Sequence, residues 1–276
     1  MEEFSAEINE GNRFRFGENW SRFLSVLNDD RIAASQHCLL EMTGQSDISG
    51  FKFLDAGCGS GLSSLAARRA GASVHSFDFD PASVACAVEL RARYCPNDAE
   101  WTISEGSVLD RSMLTRLGKF DVVYSWGVLH HTGSMWLGIE NLISAVKPGG
   151  LLFIAIYNDQ GWKSRVWWLV KWLYNKMPKI LRPFYTFGLG GCVAMANIVK
   201  HTVRLSPMTA LRGLKDYQKS RGMSWSHDLT DWYGGFPFEF SSFDNLQLYF
   251  EARGFRLQKG KRAGSLGCHE LVFRLI

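Results

Sequence analysis

Residues 53–67 read FLDAGCGSGLSSLAA, and this stretch decides the fold. An apolar run of strand length ends in Asp55. Gly57, Gly59 and Gly61 follow at alternate positions, and a helix-forming segment then runs to Arg69. Glycines allow φ > 0 and let a ligand approach the backbone, and a helix N-terminus offers unpaired N–H groups to it. The dinucleotide fingerprint G-x-G-x-x-G would need glycine at position 62, where Leu62 stands. A carboxylate at the mouth of the loop would repel a pyrophosphate but suits a cationic amino group or a polar water network.

The same strand–turn–helix rhythm extends on both sides. The pattern predicts strands over 51–56, 73–77, 101–105, 120–125 and 151–156, the last almost wholly apolar and so central in a parallel sheet. Asp80 is placed to cap a helix, with Pro81 at its first position. A helix over 134–146 is expected to stop at Lys147-Pro148-Gly149-Gly150. Near the end of the chain, Ser242 caps a helix over 243–253 that Gly254 closes, and 255–259 and 268–275 form an antiparallel hairpin. The expected fold is α/β: a doubly wound, Rossmann-like, seven-stranded sheet of five parallel strands plus the hairpin, with a mainly helical insert after strand five. The chain divides into a helical cap (1–50, with Asn12–Leu27 as one aromatic-rich helix), the core (51–157), a basic insert (158–240) and a closing segment (241–276).

Asp78 ends the second strand 21 residues after Gly57, where an acid accepts both hydroxyls of a ribose. Ser107 and Val108, at the end of the third strand, would flank an adenine ring. FLDAGCGSGLSSLAA, with SFDFDP and GSVLD, resembles the class I S-adenosylmethionine (SAM)-dependent methyltransferases over 51–156 and the tail. The resemblance implies SAM as cofactor and S-adenosylhomocysteine (SAH) as product. It assigns Asp55, Gly57, Gly59 and Gly61 to the methionine end, Asp78 to the ribose, and Ser107 and Val108 to the adenine. Cys58, Phe79, Ser125 and Trp126 are further cofactor-binding candidates. A dinucleotide-binding or ligand-free Rossmann domain is the competing reading.

Methyl transfer from a sulfonium needs alignment, exclusion of water and, for a hydroxyl acceptor, a base. The fourth strand runs into Val128-Leu129-His130-His131, which resembles the ubiquinone- and menaquinone-biosynthesis methyltransferases. A histidine is a suitable base for a phenol or sugar hydroxyl, so His131, then His130, are the candidates, against simple packing and loop roles. The Asn/Asp-Pro-Pro-Tyr and Pro-Cys segments of nucleic-acid base methylases are absent, and nucleic acid is not an expected partner. Tyr157 and Asn158 follow strand five toward the same pocket, with His227, Asp231, Trp232 and Glu239 as further acceptor-binding candidates. Of His269 and Glu270, adjacent on the last strand, only one can face the site. No convincing metal-ligand spacing is present, although His227, Asp228 and Asp231 could converge. The reading is O-methylation of a small-molecule phenol or sugar hydroxyl, with a protein or peptide methyltransferase and a non-catalytic SAM-binding protein as alternatives.

The chain has 276 residues, 46% hydrophobic and 21% charged, with a net charge of +4, which excludes a disordered chain. Between Asn158 and Gly222 lie twelve Lys or Arg and only two acids, Asp159 and Asp216. The helical spacing of Trp162, Val166, Leu169, Val170 and Leu173 among Lys163, Arg165, Lys171 and Lys176 leaves three readings open. It is a lid whose apolar face covers the pocket, a surface for an anionic membrane, or a groove for an acidic substrate. Six scattered cysteines without a C-x-x-C pair, no secretion-signal pattern and no apolar run of spanning length set the expectation of a cytoplasmic protein. Peripheral contact at the inner membrane face goes with the second reading of the insert.

Overall fold

The computed structural model describes residues 2–186, 188, 233–264 and 267–276. Seven strands form one sheet: β1 (Lys52–Ala56), β2 (Ser73–Asp78), β3 (Trp101–Glu105), β4 (Phe120–Trp126), β5 (Val146–Tyr157), β6 (Phe255–Lys261) and β7 (Cys268–Leu275). Their order is β3-β2-β1-β4-β5-β7-β6. β1 to β5 run parallel, and β7 is antiparallel to both neighbours. The strand order reverses between β1 and β4, which opens a crevice at their carboxyl ends.

Local chemistry fixes the helices on both faces. Asn28 caps α3 (Asp29–Thr43) by accepting from Arg31 N–H, and Gly44 ends it at φ 66°. α1 (Glu2–Asn9) and α2 (Gly17–Ser25) precede it. Between the glycine loop and β2 lies α4 (Leu62–Arg69). Asp80 caps α5 (Pro81–Tyr94) through Ala82 N–H, with Pro81 at the first position. Asp110 caps α6 (Arg111–Leu117), α7 (Met135–Ile143) follows a 3-10 turn, and Ser242 caps α9 (Phe243–Glu251). One apolar layer joins β4, β5 and β7 to α7 and α9 through Val123, Leu142, Ile154, Leu246 and Phe250. The other joins β1 and β2 to α3, α4 and α5 through Ile32, Phe53, Leu65, Val74 and Leu90.

Three expectations are corrected. The helix before β5 stops at Ile143, and Lys147–Gly150 lies inside β5 rather than ahead of it. The pairing with β4 shifts register there, between Phe120 and Val122. The single helix expected over 12–27 is only Gly17–Ser25, because Phe14 leaves helical bonding to donate its N–H to the Phe236 carbonyl at 2.9 Å.

The third concerns α8 (Trp162–Lys176), whose faces are inverted relative to the lid expectation. Ser164, Lys171, Tyr174 and Asn175 are buried, while Trp162 is 70% and Leu169 55% exposed, and Val166 and Leu173 also face outward. Asn175 explains part of this, donating to the Lys171 and Gly234 carbonyls at 2.9 and 2.7 Å. Among the described residues, no helix is long and apolar enough to cross a membrane.

Candidate active site

A cavity of about 580 Å³ opens at the carboxyl ends of the parallel strands. Gly57, Gly59, Asp78, Phe79, Ser107 and Val108 line one end. Gly57 and Gly59 take φ 84° and 53°. A Cβ on Gly57 would lie 2.4 Å from Val128, and one on Gly59 would lie 3.0 Å from the Trp20 ring. Both positions therefore need glycine for close approach as well as for backbone shape. Asp78 accepts N–H bonds from Gly59 and Asp80, each at 2.9 Å. A carboxylate accepts about four such bonds, so two lone pairs remain for vicinal hydroxyls. Burial pushes its pKa up to about 6. The aromatic Phe79, the apolar Val108 and the hydroxyl of Ser107 surround the space beyond it. These residues fit an adenosine.

Four cofactor candidates lie off the cavity wall. The Asp55 carboxylate is buried and accepts from Ser64 Oγ at 2.5 Å. Ser64 in turn accepts from Ser76 at 2.7 Å, and Ser76 from Trp101 Nε1 at 2.8 Å. Burial raises the Asp55 pKa to about 7, and this chain of hydrogen bonds ties the loop to the sheet. Cys58 is buried, with its thiol pKa pushed up by desolvation. Gly61 packs on Ala87 and begins α4 at φ 81°, and Ser125 donates to the Ala56 carbonyl at 2.9 Å. Trp126 does line the cavity.

The other end of the cavity is assembled from distant segments. His130 and His131 sit in the 3-10 turn Leu129–His131 after β4. His130 Nδ1 accepts from Tyr157 N–H at 3.3 Å, which stitches the turn to β5. His131 Nδ1 lies 2.6 Å from the Pro237 carbonyl oxygen. A carbonyl only accepts, so Nδ1 carries the proton and Nε2 of the neutral ring is the open acceptor. Burial, then the charge of Lys171, lowers the His131 pKa to about 3. Tyr157, Asn158, Trp167, Lys171 and Phe238 complete this wall.

The N-terminal segment closes the cavity, a contribution the sequence reading missed. Arg13 pairs with Glu7, donates to the His131 carbonyl at 2.9 Å and lies 4.9 Å over the Phe79 ring. Phe16 packs 4.8 Å from His131, and Gly17 N–H donates to Asp80 at 2.8 Å. The aromatic spacing in 14–24 was the available signal, but nothing local said what it would cover.

Glu239 is outside the cavity: both carboxylate oxygens accept from Met135 N–H at 3.0 Å, at the start of α7. Burial raises its pKa. Glu270 faces the cavity, whereas His269 packs against Phe243 and accepts from Ala263 N–H at 3.0 Å. His227, Asp228, Asp231 and Trp232 lie outside the described residues. Among the described residues no group of three His, Cys, Asp or Glu is placed to hold a metal.

Sheet order, glycine loop and ribose-type acid together form a Rossmann-like domain that resembles the class I SAM-dependent methyltransferases. Residues 54–152 match the family described as Methyltransferase domain. Ubiquinone biosynthesis O-methyltransferase from Methylobacterium sp. (strain 4-46) is 28% identical over 134 residues, 46% of this chain and 49% of that protein. The one from Colwellia psychrerythraea is 32% identical over 129 residues, 45% of this chain and 50% of that protein. The chain thus spans about half the length of these curated relatives. Magnesium protoporphyrin IX methyltransferase from Synechocystis PCC 6803, solved with bound SAH, superposes with a TM-score of 0.53 at 14% identity. The match covers 89% of this chain and 83% of that one, and it shows the shared fold.

Proposed function

We propose that this protein transfers a methyl group from SAM to a hydroxyl of a small-molecule acceptor. The observation that carries the reading is His131, held by the Pro237 carbonyl with Nε2 as its open acceptor, in the cavity lined by Gly57, Gly59 and Asp78. SAM would supply an activated methyl on a positively charged sulfur. Asp78 would take the ribose hydroxyls, Phe79, Ser107 and Val108 the adenine, and the two glycines the methionine end. Phe16, Tyr157, Trp167 and Phe238 exclude water and present flat surfaces to the acceptor.

His131 Nε2 removes the acceptor's hydroxyl proton. A pKa of about 3 keeps the ring neutral, hence able to accept, throughout the physiological range. So weak a base suffices, because an oxygen forming its bond to the methyl group turns its O–H strongly acidic. His130, whose Nδ1 accepts from Tyr157 N–H, positions the turn. The ubiquinone-biosynthesis relatives support an O-methylation over other methyl acceptors.

Incubation with methyl-labelled SAM and an extract of source cells, followed by partition, tests the reading. Label in a small molecule is the expected result. Label in polypeptide would favour a protein methyltransferase, and SAH binding without transfer would make the chain a non-catalytic SAM binder. The exposed Trp162, Trp168, Leu169 and Trp172 beside Lys163 and Arg165 favour one addition, contact with an anionic membrane when the acceptor is lipophilic. Failure to sediment with phosphatidylglycerol vesicles at low salt would remove it.

A further inference from the structure

Ala155 lies on β5 with larger residues around it on the same face of the sheet. Its register partners are Trp126 on β4 and Glu270 on β7, and Tyr157 follows two places along β5. Paired positions on neighbouring strands lie about 5 Å apart and share a face, as do alternate positions along one strand. A methyl group set between an indole, a phenol ring and a carboxylate leaves a recess, and all three larger residues line the cavity. His269, next to Glu270, turns to the opposite face against Phe243. The Glu270 side chain is 16% exposed, and among the described residues its carboxylate accepts no hydrogen bond. Its ion-pair partner, Lys261 Nζ, is 3.9 Å away, beyond hydrogen-bond length, on a side chain 72% exposed. The other acids on the wall are served differently: Asp78 and Asp80 accept backbone N–H bonds. A carboxylate enclosed as Glu270 is, with nothing donating to it, is costly to keep.

Resting on the methyltransferase reading above, we propose that Glu270, Trp126 and Tyr157 form a subsite for a cationic amino group of the acceptor, which is thus a hydroxy compound that also carries an amine. A carboxylate beside aromatic faces is the chemistry that recognises an ammonium: the acid accepts from its N–H groups and the ring faces attract its charge. A carboxylate or phosphate on the acceptor would be repelled from the same place. The Tyr157 ring also lies 5.5 Å from the His131 ring, so one residue borders both the subsite and the base. The acceptor then reaches from Glu270 to His131, with its amine at one end and its hydroxyl at the other. Two cations line the cavity as well, and both come from outside the sheet. Lys171 belongs to α8, 5.9 Å from the Tyr157 ring, and Arg13 donates to the His131 carbonyl. Glu270 is a specificity residue here, with no part in the methyl transfer itself.

The test titrates SAH-saturated protein by ligand-observed NMR with three phenols that differ at one end. These are tyramine (an ammonium), tyrosol (a hydroxyl in its place) and hydroxyphenylacetate (a carboxylate). The wild type is expected to bind tyramine about tenfold more tightly than either, the worth of one hydrogen bond to a charged group. Glu270→Gln, which keeps the shape and removes the charge, should erase the preference for tyramine over tyrosol. Lys261→Met removes the competing cation from the exposed hairpin, and should tighten tyramine about twofold while leaving tyrosol unchanged. SAH affinity should stay within about twofold in both variants, because β7 is separated from the glycine loop's β1 by β4 and β5. If Glu270→Gln does not fold, the wild-type order and Lys261→Met carry the test. Equal binding of tyramine and tyrosol, or no binding of tyramine, overturns the proposal, and so does hydroxyphenylacetate binding as tightly as tyramine. Loss of SAH affinity in Glu270→Gln overturns it in another way, by giving the carboxylate to the cofactor's own ammonium. Failure of the wild type to bind SAH would instead sink the underlying methyltransferase reading.

Discussion

At one end of the cavity, Gly57, Gly59 and Asp78 come from two consecutive strand–turn units, and each holds its place through bonds to near neighbours in the fold. At the other end, His131, Tyr157, Lys171 and Phe238 come from separate segments, and Arg13 and Phe16 reach across from the start of the chain. The first end is made of backbone shape and one carboxylate. The second is made of tertiary contacts: the tautomer of His131 depends on Pro237, and the placement of Lys171 depends on Asn175 and Gly234. The difference teaches that binding and chemistry are separable here, and substitutions at the two ends should fail in different ways.

The largest separation is expected from His131→Ala. Turnover should fall about 10²- to 10⁴-fold, the usual worth of a positioned base, with SAH affinity nearly unchanged by calorimetry. A matching loss of SAH binding would break the division between the two ends. Asp78→Ala is the converse. It should weaken SAH binding about 100-fold, as two hydrogen bonds to a charged acceptor are lost. Turnover at saturating SAM should suffer much less, and unchanged SAH affinity would remove the ribose assignment.

pH should sharpen the contrast at a smaller scale. With the Asp78 pKa at about 6, SAH affinity should fall about tenfold per unit as pH drops below 6 and the carboxylate protonates. Stability moves in opposite directions at the two ends. His131 has a folded pKa of about 3, below its unfolded value, so the unfolded chain binds more protons between about 3 and 6.5 and stability rises with pH there. Asp55 and Asp78 have folded values of about 7 and 6, above the unfolded one. Their contribution is full at low pH and is lost as pH rises through those values. Asp55→Asn and His131→Gln should therefore change the slope of stability against pH with opposite signs, measured by urea unfolding from pH 5 to 8. The smallest effect belongs to Glu239→Ala. Removing the acceptor at Met135 N–H should cost about 1 kcal/mol of stability and leave turnover within about twofold.

The two ends also differ in how far they could be read in advance. The glycine loop, Asp78 and the Asp80–Pro81 cap are local statements, in which spacing implies geometry, and the sheet follows from strands that alternate with helices. Asp55 shows the limit of that reading, because the register of β1, β2 and β3 brings Ser76 and Trp101 beneath it and α4 adds Ser64. Glu239 looked like an acceptor contact because it sits among aromatics, yet its carboxylate caps a helix remote in sequence. α8 misled most. Its apolar spacing predicted an apolar inner face, and the hydrogen bonds of Asn175 and the burial of Lys171 turned the helix the other way. α6, with seven residues, is too short for periodicity to mark.

The central claim is that one cavity holds the cofactor at Gly57, Gly59 and Asp78 and turns its sulfur toward His131. A crystal structure of the SAH complex tests this most directly. The account predicts both ribose hydroxyls on Asp78, the adenine between Phe79 and Val108, and the sulfur facing His131 and Tyr157. SAH bound with its sulfur turned away from His131, or with its ribose on another acid, would contradict it.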